Sequence, residues 1–251
     1  MTIYMGDTEY TPGTYGKTRL NAAELADRYI REWDERGLKE KREAPKPTMP
    51  AAICFSRKIG VGALEVADIL AEKMGYCVVD REILEHIASQ AKLSKKTVAI
   101  FDERYPGKIN EFLSFVFGEK AFIKSDYARN LFSAVYSMAG LEPTIFVGRG
   151  AHLLLPRDRV LAVRCICSKA HRISRLAKIF NVQKKEAESK LDQIDKEQKE
   201  FFKTVYGKKD ASPYEFDIVI NFDYISEPQW AAEIVLQAFK AKFGDETTGS
   251  W

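Results

Sequence analysis

The stretch AAICFSRKIGVGALEVADILAEKMGYCVVDREI, from Ala51 to Ile83, constrains the fold more than any other part of this chain. Ala51 to Ser56 reads as a short buried strand. A turn with two glycines, Gly60 and Gly62, follows, then an amphipathic run from Leu64 to Met74 that stops at Gly75. Val66, Ala67, Ile69 and Leu70 fall on the inward side of that run, and Cys77 to Val79 reads as a second strand. A strand that ends in a glycine turn and enters a helix aims unpaired backbone N–H groups at one point. The helix dipole adds partial positive charge there, so an anion is favoured. The layout is that of a phosphate-binding loop, yet Ala63 stands where such a loop carries its lysine.

The same alternation continues downstream. Arg81 to Ala91 reads as a helix, and Val98 to Tyr136, rich in Phe and Tyr, as mostly helical. Thr144 to Val147 and Val160 to Cys167 read as strands, and Lys169 to Phe180 and Lys184 to Tyr206 as helices. A last strand, Phe216 to Asn221, precedes a last helix, Pro228 to Phe243. Strands separated by helical stretches imply an α/β fold, a parallel sheet of about five strands flanked by helices, with right-handed crossovers. Ala51 to Ser56 is expected at its centre. This domain spans residues 49–243, with a short tail at 244–251.

Residues 1–48 form an extension. Met1 to Arg19 has no periodicity. Leu20 to Lys39 predicts a helix, with Asn21 as N-cap and Glu24 closing a capping box. Leu25, Tyr29 and Trp33 recur at i, i+4 and i+8, and KEKREAPKPTMP then reads as a charged, proline-bearing linker. A stripe with two aromatics is expected to dock, on the body of the chain, on a second copy in a homodimer, or on a partner protein.

Composition excludes several classes. Lys and Arg, 39 in all, nearly balance 36 Asp and Glu, for a net charge of +3. No global basic field argues for nucleic acid. No stretch approaches the roughly 18 apolar residues of a membrane span, and the N-terminus has no signal core. Cys54, Cys77, Cys165 and Cys167 lie in apolar, strand-like runs without metal-site spacing. Buried reduced thiols are expected, which favours the cytoplasm.

The candidate chemistry sits at strand and helix ends. Ser56, Arg57 and Lys58 lie at the sheet's carboxyl edge, where open α/β sheets bind ligands. Arg57 can hold phosphate oxygens bidentately, and Lys58 is expected in solvent. Arg149 follows an apolar strand between two glycines, and Arg172 and Arg175 lie one turn apart on the helix after the next strand. All four arginines are placed to reach one rim, an arrangement that suits a polyphosphate. Surface ion pairing is an equal reading for Arg175. Asp80 ends the second strand, where it can accept hydrogen bonds from a ligand or cap the helix at Arg81. His86, His152 and His171 lack ligand spacing, and the Phe and Tyr series from Phe112 to Tyr136 reads as core.

Three blocks, FSRKIGVGALEVADILAEKMGYCVVDREI, FVGRGAHLLLPRDRVLAVRCICSKAHRISRLAK and FDIVINFD, resemble the cytidylate kinase-like family, relatives of bacterial cytidylate kinases among the P-loop nucleoside monophosphate kinases. Order and spacing agree across most of Ala51 to Lys240, and residues 1–48 have no counterpart. The resemblance implies transfer of a γ-phosphoryl from ATP, with magnesium, to a nucleoside monophosphate such as CMP. It implies that Gly60, Gly62, Ser56, Arg57 and Arg175 hold the donor, and that Asp80 and Arg149 face the acceptor. Arg57, Arg149 and Arg172 would act on the transferred group. A helical insert after Ser89 would bind the acceptor, and Gln183 to Lys209 would form the lid. Departures are Val61, Ala63 and Leu64 in the loop, Gln198 where relatives often carry arginine, and Gly150 where ordinary cytidylate kinases carry aspartate. Val61 to Leu64 holds no hydroxyl for magnesium, so no metal-ligating residue is expected. Slow turnover is expected, and a catalytically impaired nucleotide- or anion-binding module is the alternative.

Overall fold

The computed structural model describes residues 4–9, 15, 21–40, 49–89, 126–209 and 211–244. An antiparallel hairpin of β1 (Tyr4–Met5) and β2 (Thr8–Glu9) precedes helix α1 (Ala22–Glu40). Strand β3 (Ala52–Arg57), helix α2 (Ala63–Met74), strand β4 (Cys77–Asp80) and helix α3 (Arg81–Ser89) then follow without a long connection. Helix α4 (Asp126–Leu141), β5 (Thr144–Val147), β6 (Val160–Ile166), α5 (Lys169–Phe180), α6 (Lys184–Tyr206), β7 (Ile218–Asn221) and α7 (Pro228–Phe243) complete the described elements. Five strands form one parallel sheet in the order β4-β5-β3-β6-β7, so β3 is central as its sequence predicts. The result is an α/β, P-loop kinase-like fold.

Both faces of the sheet are covered, which is why its strands are nearly continuous apolar runs. Ala52, Cys54, Phe146, Val160 and Ala162 face a core completed by α1, α3 and α4. Ile53, Phe55, Val147, Leu161 and Val163 face the other, completed by α2 and α7. A smaller third cluster joins Met5 of the hairpin, Ile59 of the loop, Leu176 of α5, and Leu191 and Ile194 of α6. No disulfide joins any of the four cysteines.

The N-terminal helix docks on the body of the same chain. Ala26 and Tyr29 are buried in the α3–α4 core, with Leu25 packed beside them. The side chain of Trp33, third member of the predicted stripe, lies outside the described ones, as does the insert expected directly after Ser89. Helix α4 runs one turn beyond its predicted end at Tyr136, because Met138 and Ala139 are buried and hold the turn through Gly140.

A short turn after α6 anchors the chain beside the end of β5. Residues Pro213–Glu215 begin with a capping box in which the Glu215 carboxylate accepts from the Ser212 N–H at 3.2 Å. It also receives Lys208 Nζ at 2.7 Å and lies 3.5 Å from Nε2 of buried His152. His152 foremost, then Lys208 and Ser212, holds the Glu215 carboxyl at about 2, below its ordinary 4.5. Burial holds His152 below its usual range. A carboxylate depressed by folding adds stability that is complete above its unfolded pKa and lost as pH falls through its folded one. The melting temperature should therefore drop between pH 4.5 and pH 2. Glu215→Gln should flatten that drop in scanning calorimetry; parallel curves for parent and variant would remove Glu215 as its source.

Candidate functional site

The carboxyl end of β3 runs into the loop Lys58–Gly62, and two of its residues need to be glycine. Gly60 has φ +86°, and a Cβ there would stand 3.3 Å from Arg172 Cβ and from Leu176. Gly62 has φ +97° and is the N-cap of α2. It offers no side chain to the first N–H groups of the helix, which leaves them aimed at the cleft above the loop.

Arg175 lies over that cleft. Its Cζ, Nε and Nη2 stand 3.4 to 3.5 Å from where a Gly62 Cβ would be. Nη2 donates to Glu65 Oε2 at 2.8 Å, and Glu65 belongs to the first turn of α2. Arg57, Lys58 and Arg175 line one open cleft together with Gly60, Gly62 and Ala63. The loop, followed by Ala63 rather than lysine, therefore has a guanidinium laid on its second glycine, carried there by α5.

Arg57 is nearly buried, and its guanidinium crosses the tip of β5, 3.2 Å from where a Gly148 Cβ would be. Its carbonyl accepts from Gln198 Nε2 at 2.9 Å, which ties α6 to the strand end, while Gln198 Oε1 is buried without a donor. Ser56 Oγ accepts from Arg164 Nη1 at 2.7 Å.

Arg149 sits on the far side of Arg57 from the loop. It adopts φ +52°, rare for a residue with a Cβ, between two left-handed glycines, Gly148 and Gly150. Its guanidinium is stacked 3.9 Å over the Phe201 ring and paired with Glu85 of α3, and its carbonyl accepts from the Tyr206 hydroxyl. Burial, then the charges of Arg81 and Arg57, push it down to about 8. A guanidinium keeps its proton in a protein. The push is felt instead as demand for negative charge, which Glu85 meets in part.

Asp80 takes the capping role. Its Oδ1 accepts from the N–H of Glu82 at 2.9 Å and of Ile83 at 3.2 Å. Arg172 lies beneath the loop and forms a two-bond fork with Asp195 of α6, both bonds at 2.9 Å. Nη1 also reaches the Ile59 carbonyl at 3.4 Å, and Nε is buried without an acceptor.

Arg57 and Arg175 thus share the loop cleft with Gly60 and Gly62, Arg149 stands at the β5 end beside Arg81, and Arg172 is turned to α6. Arg149, Arg172 and Arg175 each hold a carboxylate from another element: Glu85, Asp195 and Glu65. Sequence reading did not single out these partners. Glu65 and Arg175 are 110 residues apart, so no local pattern announces them.

A magnesium ion held by three or more protein ligands does not fit the described residues. Among the described residues no group of three His, Cys, Asp or Glu could hold a metal, and Glu65, in the turn that follows the loop, is engaged by Arg175. No described helix is long and apolar enough to cross a membrane.

The profile of the cytidylate kinase-like family matches residues 52–224, from β3 through β7, and leaves the N-terminal segment and α7 outside. No curated protein matches the chain. Among solved structures, an uncharacterized protein from Eubacterium ventriosum ATCC 27560 superposes with a TM-score of 0.57 at 20% identity, over 77% of this chain and 99% of that one. A shikimate kinase from Bacteroides thetaiotaomicron superposes with a TM-score of 0.38 at 15% identity, over 76% of this chain and 96% of that one. The first is similar in fold, and the second is too distant to add to it.

Proposed function

The chain belongs to the cytidylate kinase-like family, and from that premise we propose that it binds a nucleoside triphosphate, ATP above all, over Gly60–Gly62 and passes the γ-phosphoryl slowly to a nucleoside monophosphate such as CMP. The observation that carries this reading is the Arg175 guanidinium lying on Gly62. It supplies positive charge to a glycine turn whose own lysine is replaced by Ala63. Arg57 reaches the same cleft from the strand end. Arg149, next to Arg57 and Arg81, stands on the side where the acceptor's phosphate would approach. In the reaction an oxygen of the acceptor phosphate bonds to the γ-phosphorus as the bond to the β–γ bridging oxygen breaks. The acceptor oxygen is already anionic, so no base is required, and the work left to the protein is positioning and charge stabilisation.

A second reading, a kinase-derived module that binds a nucleotide or anion without turnover, is favoured by one arrangement. Each of Arg149, Arg172 and Arg175 already holds an internal carboxylate, and a phosphoryl group must displace or share it. Gln198 adds no charge where relatives carry an arginine, and its amide is occupied by the Arg57 carbonyl.

ADP release with ATP and a panel of nucleoside monophosphates, paired with calorimetric titration of each nucleotide, separates the two. Phosphotransfer below the usual range of about 1–100 per second is the expected result. Binding without ADP release would establish the second reading. A folded protein that binds no nucleotide at millimolar concentration would sink both.

A further inference from the structure

Resting on that reading, we propose that the loop cleft takes its donor with a flat aromatic base, and that Tyr15, from the segment outside the family-matched residues, forms one wall of the base's seat. The lining of the cleft is chemically mixed. Arg57, Lys58 and Arg175 contribute cations to it, and Tyr15, Leu64, Leu176 and Ile179 contribute apolar surface around the same glycine turn. A phosphate chain has no use for an apolar wall. A purine or pyrimidine attached to that chain does, because bases stack on aromatic rings and pack against aliphatic side chains regardless of their hydrogen-bond pattern.

Tyr15 is fixed rather than draped. Its hydroxyl is bonded to Asp68 of α2, which lies three residues after Glu65 and so on the same helix face as the carboxylate that holds Arg175. The chain upstream is clipped to the loop, α5 and α6. Met5 is fully buried against Ile59 of the loop, Leu176 of α5, and Leu191 and Ile194 of α6. The Gly6 N–H donates to Glu186 Oε1 at 2.7 Å. Gly6 has φ +58°, and a Cβ there would stand 3.2 Å from Val182 Cγ1, so the hairpin seats against the α5–α6 connection by close backbone approach. The N-terminal segment therefore brings an aromatic ring to the cleft and holds it in register with the loop.

The test is titration calorimetry on the full chain with two probes, ATP and inorganic tripolyphosphate, on the wild type, Tyr15→Ala and Tyr15→Phe. ATP should bind the wild type more tightly than tripolyphosphate. Tyr15→Ala should weaken ATP by about tenfold and leave tripolyphosphate within about twofold. Tyr15→Phe, which keeps the ring and loses the bond to Asp68, should retain most of the ATP affinity. Equal weakening of both probes by Tyr15→Ala would make Tyr15 a support for the loop and overturn the base seat. Tighter binding of either probe would make it a plug and overturn it equally. Wild-type protein that binds both probes alike would overturn the seat while leaving the phosphate cleft standing. Wild-type protein that binds neither would remove the cleft's function and the seat with it. The wild-type comparison needs no variant, so the base seat stands or falls on it even where Tyr15→Ala fails to fold.

Discussion

Arg175→Ala should lower phosphotransfer by about 10²–10³, and adding Ala63→Lys to the same chain should recover much of the loss. An electrostatic contact aimed at the transferred group is typically worth about 2.7–4 kcal/mol of barrier. In this loop Ala63 provides none. The guanidinium within 3.5 Å of the Gly62 Cβ position belongs to Arg175, so its removal leaves the backbone amides with Arg57 and Lys58. A lysine at position 63 starts from the first residue of α2 and reaches the same space from the loop side. Arg175→Lys alone should recover less, because an ammonium cannot hold Glu65 and a phosphate in the planar fork a guanidinium offers. Single-turnover rates with ATP across the four proteins decide the matter. No recovery on adding Ala63→Lys to the Arg175→Ala chain would show that the two cations act in different places, and the substitution of one for the other would be lost as an explanation.

The largest effect on stability should come from Arg172→Ala, at about 3–5 kcal/mol, the usual cost of breaking a buried pair from one side. The Arg172 side chain is 4% exposed and that of Asp195 19%. Truncating the arginine takes away the partner of the Asp195 fork and frees the Ile59 carbonyl. Asp195→Ala should cost a similar amount for the converse reason, since Arg172 Nε already lacks an acceptor. Replacing both with Met and Leu should cost far less than the sum, because paired ions and packed apolar groups of similar volume are close in energy. Urea unfolding of the two single variants and the double variant measures the coupling directly. Single variants within about 1 kcal/mol of the parent would mean that the fork is solvated in practice and does not hold α6 to the loop.

The sheet was legible because its strands are short apolar runs between helices with clear stops. Lys169–Phe180, Lys184–Tyr206 and Pro228–Phe243 begin and end where periodicity and capping residues place them. The glycine turn was legible for the same reason: Gly60 and Gly62 follow a buried strand and precede an amphipathic helix. What the cations do was not. A guanidinium at a strand end is drawn equally to a ligand and to a carboxylate, and which it meets depends on side chains far away in sequence. Arg172 finds Asp195 on the next helix, and Arg149 finds Glu85 and the Phe201 ring. Tyr15 lies in a stretch with no periodicity, so nothing local marked it as a lining residue of the cleft. Asp80 was legible as a cap, and that is the geometry it has.

Gly150 narrows the directions in which this chain can change. It has φ +71°, and a Cβ there would stand 2.7 Å from the Tyr206 ring, against which it has no room to shift. Tyr206 is itself buried between the core and the Arg149 carbonyl. The aspartate that ordinary cytidylate kinases carry after their Gly-Arg turn therefore cannot be introduced here by a single substitution: it would arrive in a position that Tyr206 of α6 already fills. Tyr206 would have to shrink first, and that step by itself opens a cavity and strands a carbonyl. Position 150 is thus closed by one ring and one missing methyl group, and added charge near the loop is open to this chain at positions 63 and 198 instead.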